Sequence, residues 1–197
     1  MVAVRRLLHD AIPSSLLMLA WWLVVAPIAT ASNFGSGIDH ACDTTYSSQC
    51  VADNYDHRVR FFSIDNANLL SATRDRMSYF NSFAGRLNMY EVSSSADVNV
   101  QDLYVGAVGW WGVGYCASSA TYGGSDPNRW CRPQVLTYNL SYSAGVGQPY
   151  YLACHELGHT VGLRHYNHVT CMVNADLTGE KVITPHERDH INSRYGN

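Results

Sequence analysis

The stretch His155-Glu156-Leu157-Gly158-His159-Thr160-Val161-Gly162-Leu163-Arg164-His165 constrains this chain more than any other. At about 100° per residue on an α-helix, His155 and His159 fall one turn apart on a single face. Both imidazoles can then reach one metal ion. Glu156 stands one step round the helix, beside such a metal rather than on it, where a general base for an activated water belongs. A helix continued to His165 would carry it about 240° away from His159. The chain therefore has to leave the helix between them, and Gly162 is the residue that permits a left-handed helix end. His165 then swings back as a third ligand. A fourth position stays open for water, as catalytic zinc sites require.

His186-Glu187-Arg188-Asp189-His190 repeats the H-E-x-x-H letters near the end of the chain. Its middle residues are charged, and too little chain remains to supply a third ligand. It reads as a solvated helix face. The weight of the metal reading therefore rests on what extends the first copy: Gly162, His165, and Met172 seven residues further on.

With those extensions, the segment resembles the metzincin zinc endopeptidases, whose third histidine is followed by a methionine in a tight turn. Met172 is the residue that corresponds, packing under the histidines without binding metal. Asp189-His190-Ile191-Asn192-Ser193-Arg194-Tyr195-Gly196 is similar to the closing helix of matrixins. The resemblance is carried by residues 155–196. It implies one catalytic zinc ion held by His155, His159 and His165, with Glu156 as the catalytic base for peptide-bond hydrolysis. It also implies a twisted mixed sheet, a long helix, an active-site helix, the methionine turn and a C-terminal helix. Some metzincins place a tyrosine two residues after the methionine, and matrixins a proline. Asn174 stands there, so neither role carries over.

Arg5 and Arg6, an apolar run from Leu16 to Ala29 and the small residues Ala29-Thr30-Ala31 read as a signal peptide over residues 1–31, cleaved after Ala31. The alternative is an uncleaved N-terminal anchor. The apolar run is shorter than the roughly 20 residues of a membrane span. Secretion is the expectation, with no stable membrane association afterwards. The whole chain has a net charge of −3, and losing Arg5, Arg6 and Asp10 leaves the remainder slightly more acidic. That balance speaks against nucleic acid or an anionic surface as partner. A protein or peptide substrate and a monomer are expected.

All six cysteines follow the signal segment, and an even count in an exported chain reads as disulfides. Spacing alone leaves many pairings open. Proximity favours Cys42–Cys50 and Cys116–Cys131. The metzincin layout brings the segments before the first histidine and before the methionine together, which implies Cys154–Cys171. A metal-ligating Cys154 is disfavoured, because it points about 100° away from His155.

The remaining pattern predicts an irregular segment over 32–57 and one catalytic domain over 58–197. Strands are expected at Arg58–Ile64, Leu87–Val92, Asp97–Val105 and Gln134–Tyr142. Helices are expected at Asn68–Phe83 and Tyr150–Leu163, with a last one opened by the capping box Thr184-Pro185-His186-Glu187. Trp110–Cys116 is Gly-rich and aromatic, an irregular edge strand or a loop feeding one. Within it, Gly109–Tyr115 is a candidate edge for an extended peptide, or a plain aromatic loop. Asn139-Leu140-Ser141 is a glycosylation sequon. His168 reads as a surface loop residue, and Val173–Val182 as a segment that shapes specificity. The fold class is α+β with a mixed sheet. Two readings of another kind stand beside the protease: a secreted zinc-binding or adhesion module without proteolysis, and a zinc amidase acting on cell-wall peptides. Neither is excluded by these residues, although a pure binding module has no use for Glu156.

Overall fold

The described residues form five strands and three long helices, together with a single helical turn. The computed structural model describes residue 34 and residues 50–125, 127–165, 170–173 and 182–196. The elements run β1 (Asp56–Ser63), α1 (Ala67–Asn81), β2 (Asn88–Glu91), β3 (Val98–Leu103), β4 (Gly112–Gly123), β5 (Trp130–Asn139), the turn α2 (Ser143–Val146), α3 (Pro149–Thr160) and α4 (Pro185–Tyr195). The order in the sheet is β2-β1-β3-β5-β4. The pairs β1–β2, β1–β3 and β3–β5 are parallel, whereas β4 runs antiparallel to β5 at the sheet's outer edge. This is a mixed α/β fold compatible with the α+β expectation.

The alternation in β3 explains its place. Val98 and Val100 point into the core, and the third inward residue is Asp102. A buried carboxylate needs partners. Asp102 has them in the backbone N–H groups of Asp65 and Asn66, which donate to it at 2.8–3.2 Å. Those residues lead into α1, where the Asn66 side chain caps the helix by accepting from the N–H groups of Asn68 and Leu69. One strand side chain thus anchors the start of the helix that crosses back over the sheet. Leu69, Met77 and Phe80 of α1 meet Leu152 and Leu157 of α3 and Val59, Val100 and Leu136 of the sheet in one apolar core.

The helix α3 is buried on nearly every side, from Tyr151 to Thr160. Gly158 is required by this packing, since a Cβ there would stand 2.5 Å from Met172 Sδ. The C-terminal helix is tied to the end of α3 by one phenol. Tyr195 Oη accepts from the Ala52 N–H at 2.8 Å and donates to the Val161 carbonyl at 3.0 Å. At its other end, α4 has the predicted capping box between Thr184 and Glu187.

Trp110–Cys116 leads into and opens the edge strand β4, which reaches Gly123 and shifts register between Cys116 and Thr121, as an irregular edge strand does. Several expectations change. Strand β5 begins at Trp130, before the expected Gln134. The reason is mutual pairing: Thr121, Tyr122 and Gly123 lie opposite Arg132, Cys131 and Trp130. The small polar run Ser118-Ser119-Ala120 carries no strand signal of its own. β1 begins at Asp56, within the stretch expected to be irregular. The helix expected over Tyr150–Leu163 ends at Thr160. The sequon asparagine Asn139 is fully buried, its amide nitrogen donating to the Gly106 and Trp110 carbonyls, so folding removes it from any glycosylating enzyme. No helix among the described residues is long and apolar enough to cross a membrane. Residues 1–31, expected as a signal peptide, lie outside the described residues.

Replacing Tyr195 by Phe removes the hydroxyl from two buried backbone groups. The expected loss is about 1–3 kcal/mol, read as a lower urea midpoint at unchanged m-value. An unshifted midpoint would mean that the phenol does not tie the two helices.

Candidate metal centre

The helix α3 brings His155 and His159 to one face, and the chain then turns as the glycine implied. Gly162 has φ +101°, where only glycine is at ease. Its N–H bonds to the His159 carbonyl, and the Leu163 N–H reaches the Gly158 carbonyl at 2.9 Å. That double closure is a Schellman motif. It sends His165 back over the helix. His159 Nε2 lies 3.1 Å from His155 Nε2, which is 3.2 Å from His165 Nε2. The three ring nitrogens form one cluster. His155 is buried, His159 partly so, and His165 is the most exposed.

Hydrogen bonding fixes what these nitrogens offer. His155 Nδ1 donates to the Cys171 carbonyl, and His159 Nδ1 donates to the Leu163 carbonyl, both at 2.7 Å. A carbonyl only accepts, so in each neutral ring the proton is on Nδ1 and Nε2 is bare. Two bare lone pairs therefore face one another at 3.1 Å. No hydrogen bond between neutral rings accounts for that contact, but a shared cation does. Two nitrogens at about 2.0–2.1 Å from one tetrahedral ion stand about 3.3 Å apart. The donor set fits a borderline transition metal, which imidazole suits.

Burial keeps the rings neutral and ready. It pushes His155 down to about 4, with the neighbouring His165 adding to the shift. Burial likewise lowers His159 well below its ordinary value, and lowers His165. Glu156 behaves oppositely: it is buried, Oε2 has no hydrogen-bond partner among the described residues, and burial pushes it up to about 8. A cation on the histidines would pull it back down. Gly112, the first residue of β4, lies against the Glu156 carboxylate, leaving no room there for a Cβ.

Cys171 meets the histidine cluster through its carbonyl, and Met172 packs against the same helix. Cys154 is bonded to Cys171, with the Cα atoms 5.9 Å apart. The bridge fixes the backbone whose carbonyl orients His155, and it rules out Cys154 as a metal ligand. Met172 is fully buried, its sulfur against Gly158. Cys116 is bonded to Cys131, and Cys50 Sγ lies 3.4 Å from Cys116 Sγ. These three sulfurs also cluster, but all three are in disulfides and offer no thiolate. The expected Cys42–Cys50 partner lies outside the described residues, as do Tyr166, His168 and Asn174.

Four further groups serve the site without a sequence signal. Tyr151 Oη donates to the Val173 carbonyl, holding the chain just after Met172. Glu187 Oε2 accepts from Thr170 Oγ1 at 2.7 Å, holding the chain just before Cys171. His57 Nε2 meets Thr160 Oγ1 at 3.0 Å, and Gln134 Nε2 donates to the Thr160 carbonyl. A lone histidine or glutamine in a strand pattern does not announce a partner 103 or 26 residues away.

No family model matches the chain, and no curated protein sequence matches it.

His57 generates a pH prediction. It is fully buried, and desolvation pushes it down to about 4. The unfolded chain takes up a proton near 6.5 that the folded one refuses, so the stabilising contribution is complete above that pH and is lost as pH falls toward 4. Urea unfolding of the metal-free protein across this range should show that decline. In His57→Gln the slope should be shallower by up to one proton, about 1.4 kcal/mol per pH unit. A slope equal to that of the native sequence would refute the assignment.

Proposed function

We propose that this chain is an exported zinc endopeptidase of the metzincin type. The observation that carries the reading is the convergence of three imidazole Nε2 atoms beside a buried carboxylate, Glu156, whose Oε2 has no hydrogen-bond partner among the described residues. His155, His159 and His165 would hold the ion. Zinc, when bound, supplies Lewis acidity toward water and toward a carbonyl oxygen.

The protein's own groups do the rest. Glu156 takes a proton from the attacking water onto its carboxylate as the water oxygen adds to the peptide carbonyl carbon. The same carboxyl then delivers that proton to the departing amine nitrogen as the C–N bond breaks, so no covalent link to the protein forms. Burial favours the protonated state of this carboxyl, which suits a group that must hold a proton between two transfers. The backbone carbonyls of Cys171 and Leu163 keep the two helix histidines in the tautomer that exposes Nε2. Met172, whose sulfur lies against Gly158 of the same helix, would pack beneath them as a hydrophobic base. The outer strand β4 begins beside Glu156, which favours Gly109–Tyr115 as the edge on which an extended peptide lies. The two disulfides are compatible with export.

Peptide-library cleavage by the purified protein tests this reading. Glu156→Gln should bind zinc as the native sequence does and cleave roughly 10²–10⁴-fold more slowly. Equal cleavage would remove Glu156 from the chemistry. If the zinc-loaded native protein cleaves no peptide at all, the binding-module reading takes over. In His165→Ala, zinc affinity measured by chelator competition should drop, and undiminished affinity would count against the three-histidine centre.

A further inference from the structure

The second H-E-x-x-H copy does not behave as a plain solvated helix face. On α4, His186 Nε2 and His190 Nε2 lie 3.2 Å apart, and their rings stand 4.5 Å apart at 79°. The corresponding values for His155 and His159 are 3.1 Å, 4.6 Å and 89°. The two helices thus hold a histidine pair in nearly the same geometry. Both rings on α4 are half-buried, whereas Arg188 and Asp189 between them are exposed.

We propose that His186 and His190 form a second, weaker transition-metal site that binds without catalysing. Two imidazoles one turn apart present two nitrogen donors to a single borderline dication such as Zn²⁺ or Ni²⁺. Water completes the coordination. His190 borders an open cavity of about 520 Å³, lined also by Phe34, Asn128, Trp130, Ser193 and Arg194, which admits that water.

Glu187 separates this site from the first. Its Oε2 accepts from Thr170 Oγ1, the Thr184 N–H and Thr184 Oγ1 at 2.7–2.9 Å, and the residue is fully buried. The carboxylate that corresponds in sequence to Glu156 is therefore committed to capping α4 and holding Thr170, and is not placed to accept a proton from water.

The site also adjoins the histidine centre. The His190 ring stacks on Phe34 at 5.5 Å, nearly parallel, and Phe34 pairs through its backbone with Leu163. The Leu163 carbonyl is the one that orients His159. A metal on α4 holds the ring against which this N-terminal residue packs.

Equilibrium dialysis of the purified protein against Zn²⁺, and separately against Ni²⁺, tests the proposal. The protein should take up one tight and one weaker equivalent. His186→Gln with His190→Gln should lose the weaker equivalent and keep the tight one, while His155→Ala with His159→Ala should do the reverse. In the native sequence, the ring resonances of His186 and His190 should shift together as the weaker equivalent binds, a readout that does not depend on any variant folding. Loss of no equivalent in the His186/His190 variant, or ring resonances that stay fixed up to saturation, would overturn the site. Absence of the tight equivalent alone would instead remove the proposed function and leave this site standing.

Discussion

Two hydrogen bonds from imidazole to backbone carbonyl organise this molecule. By donating from Nδ1 to the carbonyls of Cys171 and Leu163, His155 and His159 are left with bare Nε2 lone pairs turned toward each other. Buried lone pairs at that separation repel unless a cation lies between them. Everything nearby serves to hold the two carbonyls still. The Schellman closure at Gly162 presents the Leu163 carbonyl, and the Cys154–Cys171 disulfide presents the other. Thr170 and Val173, on either side of Cys171-Met172, are tied to Glu187 and Tyr151 respectively.

The rest of the fold supplies rigid backing. The helix α3 sits between sheet and turn with apolar contacts on nearly all sides, so a single added methyl group at Gly158 would collide with Met172. The last helix is bound back by Tyr195, which joins the end of α3 to the segment before β1. The same side-chain letters on α4 show how far environment decides role. Glu156 is buried, its Oε2 without a hydrogen-bond partner among the described residues, and is pushed up to about 8, whereas Glu187 is buried with three donors around one oxygen.

Where the signal in the chain was local, it was readable. Helix α4 has its capping box at Thr184, and α1 and α3 lie within two or three residues of their expected ends. The bridge Cys116–Cys131 follows from proximity, and Cys154–Cys171 from the metzincin likeness. Non-local pairing was not readable. Ser118-Ser119-Ala120 has the composition of a loop, yet lies within β4, in the stretch where the register against β5 shifts. His57 and Gln134 looked like ordinary strand residues, and only the crossing of α3 over the sheet gives them Thr160 as partner. The burial of Asn139 and Glu187 was equally hidden, because polarity predicts exposure until a specific set of partners is assembled.

By itself the sequence determined the periodicities and the exceptions to them: one helical turn between His155 and His159, and a glycine where the helix must end. Those depend on bond geometry and steric limits within a few residues, which are the same in any fold. The tertiary structure alone decided which histidine nitrogen is bare, which of two glutamates has an oxygen without a hydrogen-bond partner among the described residues, and which strand forms the sheet's edge. The tautomer of His155, the donors around Glu187 and the pairing of β4 all depend on groups brought in from elsewhere in the chain. Protonation and hydrogen bonding are set by the nearest atoms in space, whatever their separation along the chain.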